Sequence, residues 1–139
     1  MMTSIAIKPA EAPAVGTPQR TLWDLVETCE QKLLADKMEL YKRDVSDPKA
    51  TAARRISSLC SSLKALAHAK DVYNVGTFTD TQARADVELV KTLCGDDTVK
   101  AHEAVGLVHV AVSKAIDMVP YDRHATRLHL TAYLLAIYH

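Results

Sequence analysis

Between Ala101 and Val119 the chain sets Ala101, Ala104, Val105, Val108, Ala111, Val112, Ala115, Ile116 and Val119 at spacings of three and four. Its centre, "VGLVHVAV", is β-branched enough to be read as a buried strand. The run is about twice a usual strand length, however, and its period is that of a helix. Val99, Leu107, Val110 and Met118 lie off the main stripe, so this helix is apolar nearly all round. Such a helix must be central to a core or covered by another chain. The rest of the fold has to supply that cover.

Four more segments carry the helical period, each bounded by capping chemistry. Leu22, Leu25, Val26, Cys29, Leu33 and Leu40 form the first stripe, with Thr21 as N-cap, Asp24 three residues on and an end near Val45. "VSDPKA" breaks the chain, with Ser46 or Asp47 as cap and Pro48 at the first helical position. Ile56, Leu59, Cys60, Leu63, Leu66 and Ala67 follow on one face, and "NVGT" closes that helix. Thr79 and Gln82 open a third helix as a capping box, and Gly95 fits its end. Asp96 or Asp97 starts the long helix, Pro120 follows it, and Asp122 caps the last one.

These signals predict an all-α bundle of four to five antiparallel helices in one domain over residues 20–139. Before it, residues 1–19 hold Pro9, Pro13 and Pro18 without helical period and read as a flexible N-terminal arm. With 4 glycines and 5% aromatics, the composition offers little for a many-stranded sheet.

The last helix also has more apolar positions than one stripe needs: Leu128, Leu130, Tyr133, Leu134, Leu135, Ile137 and Tyr138. A chain of this size can surround one helix on all sides but hardly two. The excess predicts a homodimer with Leu130, Tyr133, Leu134, Ile137 and Tyr138 at its interface.

Charge is polarised along the chain although the total is +0. From Pro48 to Lys70 there are five Lys/Arg residues and no acid, whereas Asp71 to Glu103 holds seven acids against three bases. At about 100° per residue, Arg54, Ser57, Ser61, Lys64 and His68 fall in one sector of the second helix, with Arg55 flanking it. Guanidinium, ammonium and hydroxyl groups in that pattern can contact phosphate, or the acidic third helix of the same or another chain. No aromatic residues interleave with the cations, as single-strand binding would require. Nucleic acid is therefore the second reading, behind an unknown protein partner.

Site chemistry is sparse. Cys29, Cys60 and Cys94 stand singly, so neither a zinc knuckle nor a disulfide framework is predicted, and a reducing cytoplasm is the expected setting. His102-Glu103 lacks a second histidine four residues on. Glu27 and Glu30 form E-x-x-E, as in magnesium-binding bundles, but Asp86 and Glu88 are too closely spaced to match them. The apolar stretch from Ala104 to Val119 is interrupted by His109, Ser113, Lys114 and Asp117, so no membrane span is expected. The sequence predicts a non-enzymatic adaptor, inhibitor or regulatory subunit without metal or cofactor.

Overall fold

The computed structural model describes residues 11–35, 39–40, 42, 44, 46–68, 77–120 and 122–137. The first ten residues of the arm, Val45, Lys70, Asn74 to Gly76 of "NVGT" and Tyr138 lie outside this set. Among the described residues the structure is all-α, with helices α1 (Pro18–Leu34), α2 (Pro48–Ala67), α3 (Asp80–Cys94), α4 (Thr98–Met118) and α5 (His124–Ile137).

Local chemistry sets most of the boundaries. Asp47 accepts the Lys49 amide at 2.8 Å, with Pro48 at N1, where no amide is needed. Thr79 accepts the Gln82 amide at 3.0 Å and Asp97 accepts the Lys100 amide at 2.9 Å. Gly95 ends α3 at φ 63, a left-handed conformation that an L side chain would strain.

Three boundaries differ from expectation. α1 begins at Pro18 with Thr17 as its cap, accepting the Arg20 amide at 3.2 Å, so Thr21 is already helical. Asp24 bonds the Arg20 side chain at 2.9 Å instead of closing a capping box. Arg20 also donates to the Pro13 carbonyl at 3.1 Å, which ties down the end of the arm. α1 stops at Leu34, and Glu39 and Leu40 are again helical. The first bond of α5 runs from the Arg127 amide to the Arg123 carbonyl, so Arg123, not Asp122, occupies the cap position.

α4 occupies the centre and packs against all four other helices. Alanines make that possible: Ala101, Ala104, Ala111 and Ala115 are all buried, and their small side chains let neighbouring backbones approach. α1 lies against α2 and α4, while α3 bridges α2 and α5. Leu22, Val26, Ile56, Leu59, Leu63, Val112, Leu130 and Tyr133 form the fully buried core. Among the described residues no helix is long and apolar enough to cross a membrane.

Candidate functional site

The basic stripe of α2 is divided by its neighbours. Arg55 turns inward and forks onto Asp86 of α3, with Nε to Oδ1 and Nη2 to Oδ2 both at 2.8 Å. Nη2 also donates to the Thr77 carbonyl at 3.1 Å. Asp86 further accepts from Gln82 Nε2 at 2.9 Å and from the Tyr133 hydroxyl at 2.7 Å. Its side chain is 3% exposed, so this carboxylate joins α2, α3 and α5 inside the core. Phe78 meets the Tyr133 ring edge-on at 5.5 Å and keeps water away. Gln82 thus uses its side chain on Asp86, and only the Thr79 half of the expected capping box forms.

Electrostatics follow the geometry. Burial acts to lower the Arg55 pKa, but the hydrogen bond and charge of Asp86 outweigh it and the net shift is upward. Burial, then the Asp86 charge and hydrogen bond, push the Tyr133 hydroxyl well above the ordinary tyrosine range. A group with a raised folded pKa gives stability that is complete below its unfolded value, about 10 for tyrosine, and lost as pH rises through the folded value. Lys64, also raised, acts with the same sign. Denaturation midpoints measured from about pH 9 to 12 should therefore fall, and Tyr133→Phe should make the fall shallower. An unchanged slope in that variant would remove Tyr133 from the account.

Lys64 and His68 turn the other way, onto α1. Lys64 Nζ bonds Glu27 closely and Glu30 at 2.7 Å, and sits 4.6 Å above the Trp23 ring. Burial acts to lower its pKa, but the two carboxylates prevail and the shift is upward. The E-x-x-E pair thus holds a lysine. The His68 ring packs edge-on to Trp23 at 5.4 Å. Cys60 faces Cys29 across the same seam; the hydrogen bond its thiol donates to Cys29 and burial both push the Cys60 thiol up.

Of the predicted basic face, Arg54 and Ser61 are exposed and Ser57 is half-buried; Arg55, Lys64 and His68 leave it for partners inside the fold. A helical wheel contains the clue, since Arg55 lies only about 40° from Leu59. Ala53, Cys60 and Ala67, seven apart, likewise widen the buried sector towards α1 and bring Lys64 to its edge. The sequence does not connect Asp86, Gln82 or Trp23 with the basic face, because they are distant from it in the chain.

The predicted dimer residues are similarly relocated. Leu130, Tyr133 and Ile137 are buried within the chain's own core, and Leu134 is half-buried against it. The exposed leucines of α5 are Leu128, 70% exposed, and Leu135, 60% exposed. On α4, Val99 and Val110 are outward.

A cleft of about 460 Å³ opens where α3, α4 and α5 meet. Val87, Ala101, Val105 and Ile137 give it an apolar floor, and Lys91, Thr98 and His102 stand around it. Gly106 forms part of the wall, where an added Cβ would meet nothing within 4 Å. Among the described residues no three His, Cys, Asp or Glu side chains gather to hold a metal ion.

Among the described residues these features define an all-α bundle with a buried polar centre, an exposed leucine face on α5 and a separate apolar cleft. No protein family, curated protein or solved structure matches the chain.

Proposed function

We propose that this is a non-enzymatic helical interaction protein, an adaptor, inhibitor or regulatory subunit, that acts by protein–protein contact and pairs with itself as a homodimer. The observation that carries the reading is the outer face of α5. Leu128, Thr131, Ala132 and Leu135 are all exposed and recur at i, i+3, i+4 and i+7, the spacing of a helix-packing stripe. The opposite face is already buried, so this stripe is surplus to the chain's own core. Thr131 and Ala132 are small enough to let a second helix approach between the leucines. Covering a leucine fully is worth about 1.5–3 kcal/mol, and a two-fold contact repeats each pairing.

A phosphate-contacting role for α2 has less support, because Arg55 and Lys64 already face carboxylates. Free thiols at Cys29, Cys60 and Cys94 suit a reducing cytoplasm.

Light scattering after size exclusion, over a range of concentrations, tests the pairing. The wild type is expected at twice 15.2 kDa, and Leu128→Glu with Leu135→Glu at 15.2 kDa with an unchanged thermal midpoint. A wild-type mass of 15.2 kDa at every concentration defeats the homodimer.

A further inference from the structure

The cleft between α3, α4 and α5 has no part in that pairing, since Ile137 in its floor and the Leu128–Leu135 stripe lie on opposite faces of α5. Its size falls within the range of small-molecule sites, and its make-up, an apolar floor with few polar groups, is theirs as well. The polar side chains, Lys91, Thr98 and His102, all offer hydrogen-bond donors. Lys91 and His102 are the ionisable residues among the described lining, and no carboxylate is present there. Thr98 is the first residue of α4, so the positive end of that helix dipole lies at the same rim. Carboxylates adjoin the lining: Asp96 and Asp97 follow Gly95, Glu103 follows His102, and Glu88 is near Lys91. Asp97 caps the α4 amides, and Glu88 approaches Lys91 at 3.3 Å in an exposed pair of the kind that contributes little. A ligand carboxylate can compete for that lysine.

We propose that this cleft binds a medium-chain alkanoate. The tail lies along Val87, Ala101, Val105 and Ile137, and the carboxylate meets Lys91 and His102 at the rim. Gly106 is the specificity-determining position, because it leaves open the wall that any side chain would fill. An apolar alcohol lacks the charge this rim complements, and an alkylammonium ion carries the wrong one. Each methylene added to the tail, until the floor is covered, contributes about 0.8 kcal/mol, a fourfold gain in affinity.

Titration calorimetry with octanoate, decanoate and dodecanoate, each below its micelle concentration, tests this on the full chain. Decanol and decyltrimethylammonium serve as controls. Affinity should rise about fourfold per methylene, with decanoate binding at least tenfold tighter than either control. Gly106→Leu should weaken decanoate at least tenfold. That variant keeps its fold, since leucine is the better helix former and the site is open, and its thermal midpoint should be unchanged or higher. Lys91→Glu should weaken decanoate several-fold and decanol little. No heat with decanoate at millimolar concentration, equal binding by decyltrimethylammonium, or undiminished binding by Gly106→Leu would each overturn the proposal.

Discussion

Asp86→Ala is expected to cost about 3–5 kcal/mol, because it leaves the Arg55 guanidinium in the core without its counter-charge. Arg55 has 18% of its side chain exposed, too little to recover full hydration. The Tyr133 hydroxyl and the Gln82 amide lose an acceptor in the same step. Set against a usual total of about 5–15 kcal/mol, this is enough to unfold a marginal bundle. Arg55→Met should cost a similar amount for the converse reason, a buried carboxylate without its cation. The double variant Arg55→Met with Asp86→Ala should cost less than the two single changes combined, since removing both members of a buried ion pair leaves no charge without its partner. Urea denaturation of the four proteins closes the cycle. Additive losses would show that the fork contributes no coupling energy.

Trp23→Ala should be nearly as damaging, at about 3–5 kcal/mol. The indole is 8% exposed and serves three neighbours at once. It fills core volume beside Leu22 and Val26, carries Lys64 over its face and receives the His68 ring at its edge. Trp23→Leu restores part of the volume and none of the π surface. Trp23→Phe restores a ring and should recover about 0.5–1 kcal/mol more than leucine, the size of a partly exposed cation–π contact. Equal stabilities for the leucine and phenylalanine variants would assign the whole effect to packing. Far-ultraviolet dichroism has to serve as the readout, because Trp23 is the only tryptophan in the chain.

What was legible in the sequence was local. Periodicity gave four to five helices, and short-range capping chemistry placed Thr79 and Gly95 at their ends and narrowed two other caps to Ser46 or Asp47 and Asp96 or Asp97, of which Asp47 and Asp97 are used. The start of α1 was legible too, since Thr-Pro is a cap followed by a preferred first residue, but Thr21 competed for the role. The fate of the charges was legible only in outline: the acidic third helix was one expected partner of the basic face, but not the residues that would meet. Arg55 meets Asp86 across 31 residues and Tyr133 meets it across 47. A wheel drawn for one helix shows which residues share a sector, not which neighbour will sit beside it. For the same reason the apolar surplus of α5 was recognised while its outward half was misassigned. Leu130 and Leu128 differ by about 200° in direction, and the positions of α3 and α4 decide which of them is covered. The cleft is a product of three helices and has no linear signature beyond a glycine in a valine-rich run.

The central position of α4 also has a bearing on synthesis. α1, α2 and α3 leave the ribosome first, yet the helix that all three pack against is encoded after them. Until Thr98–Met118 emerges, the sides of α1, α2 and α3 that pack on it are uncovered. The nascent chain therefore passes through a stage in which its future interior is a wet surface, and folding waits for the fourth helix rather than advancing from the first. A lesion late in the message, by removing the filler, is thus more harmful than its distance from the N-terminus would imply.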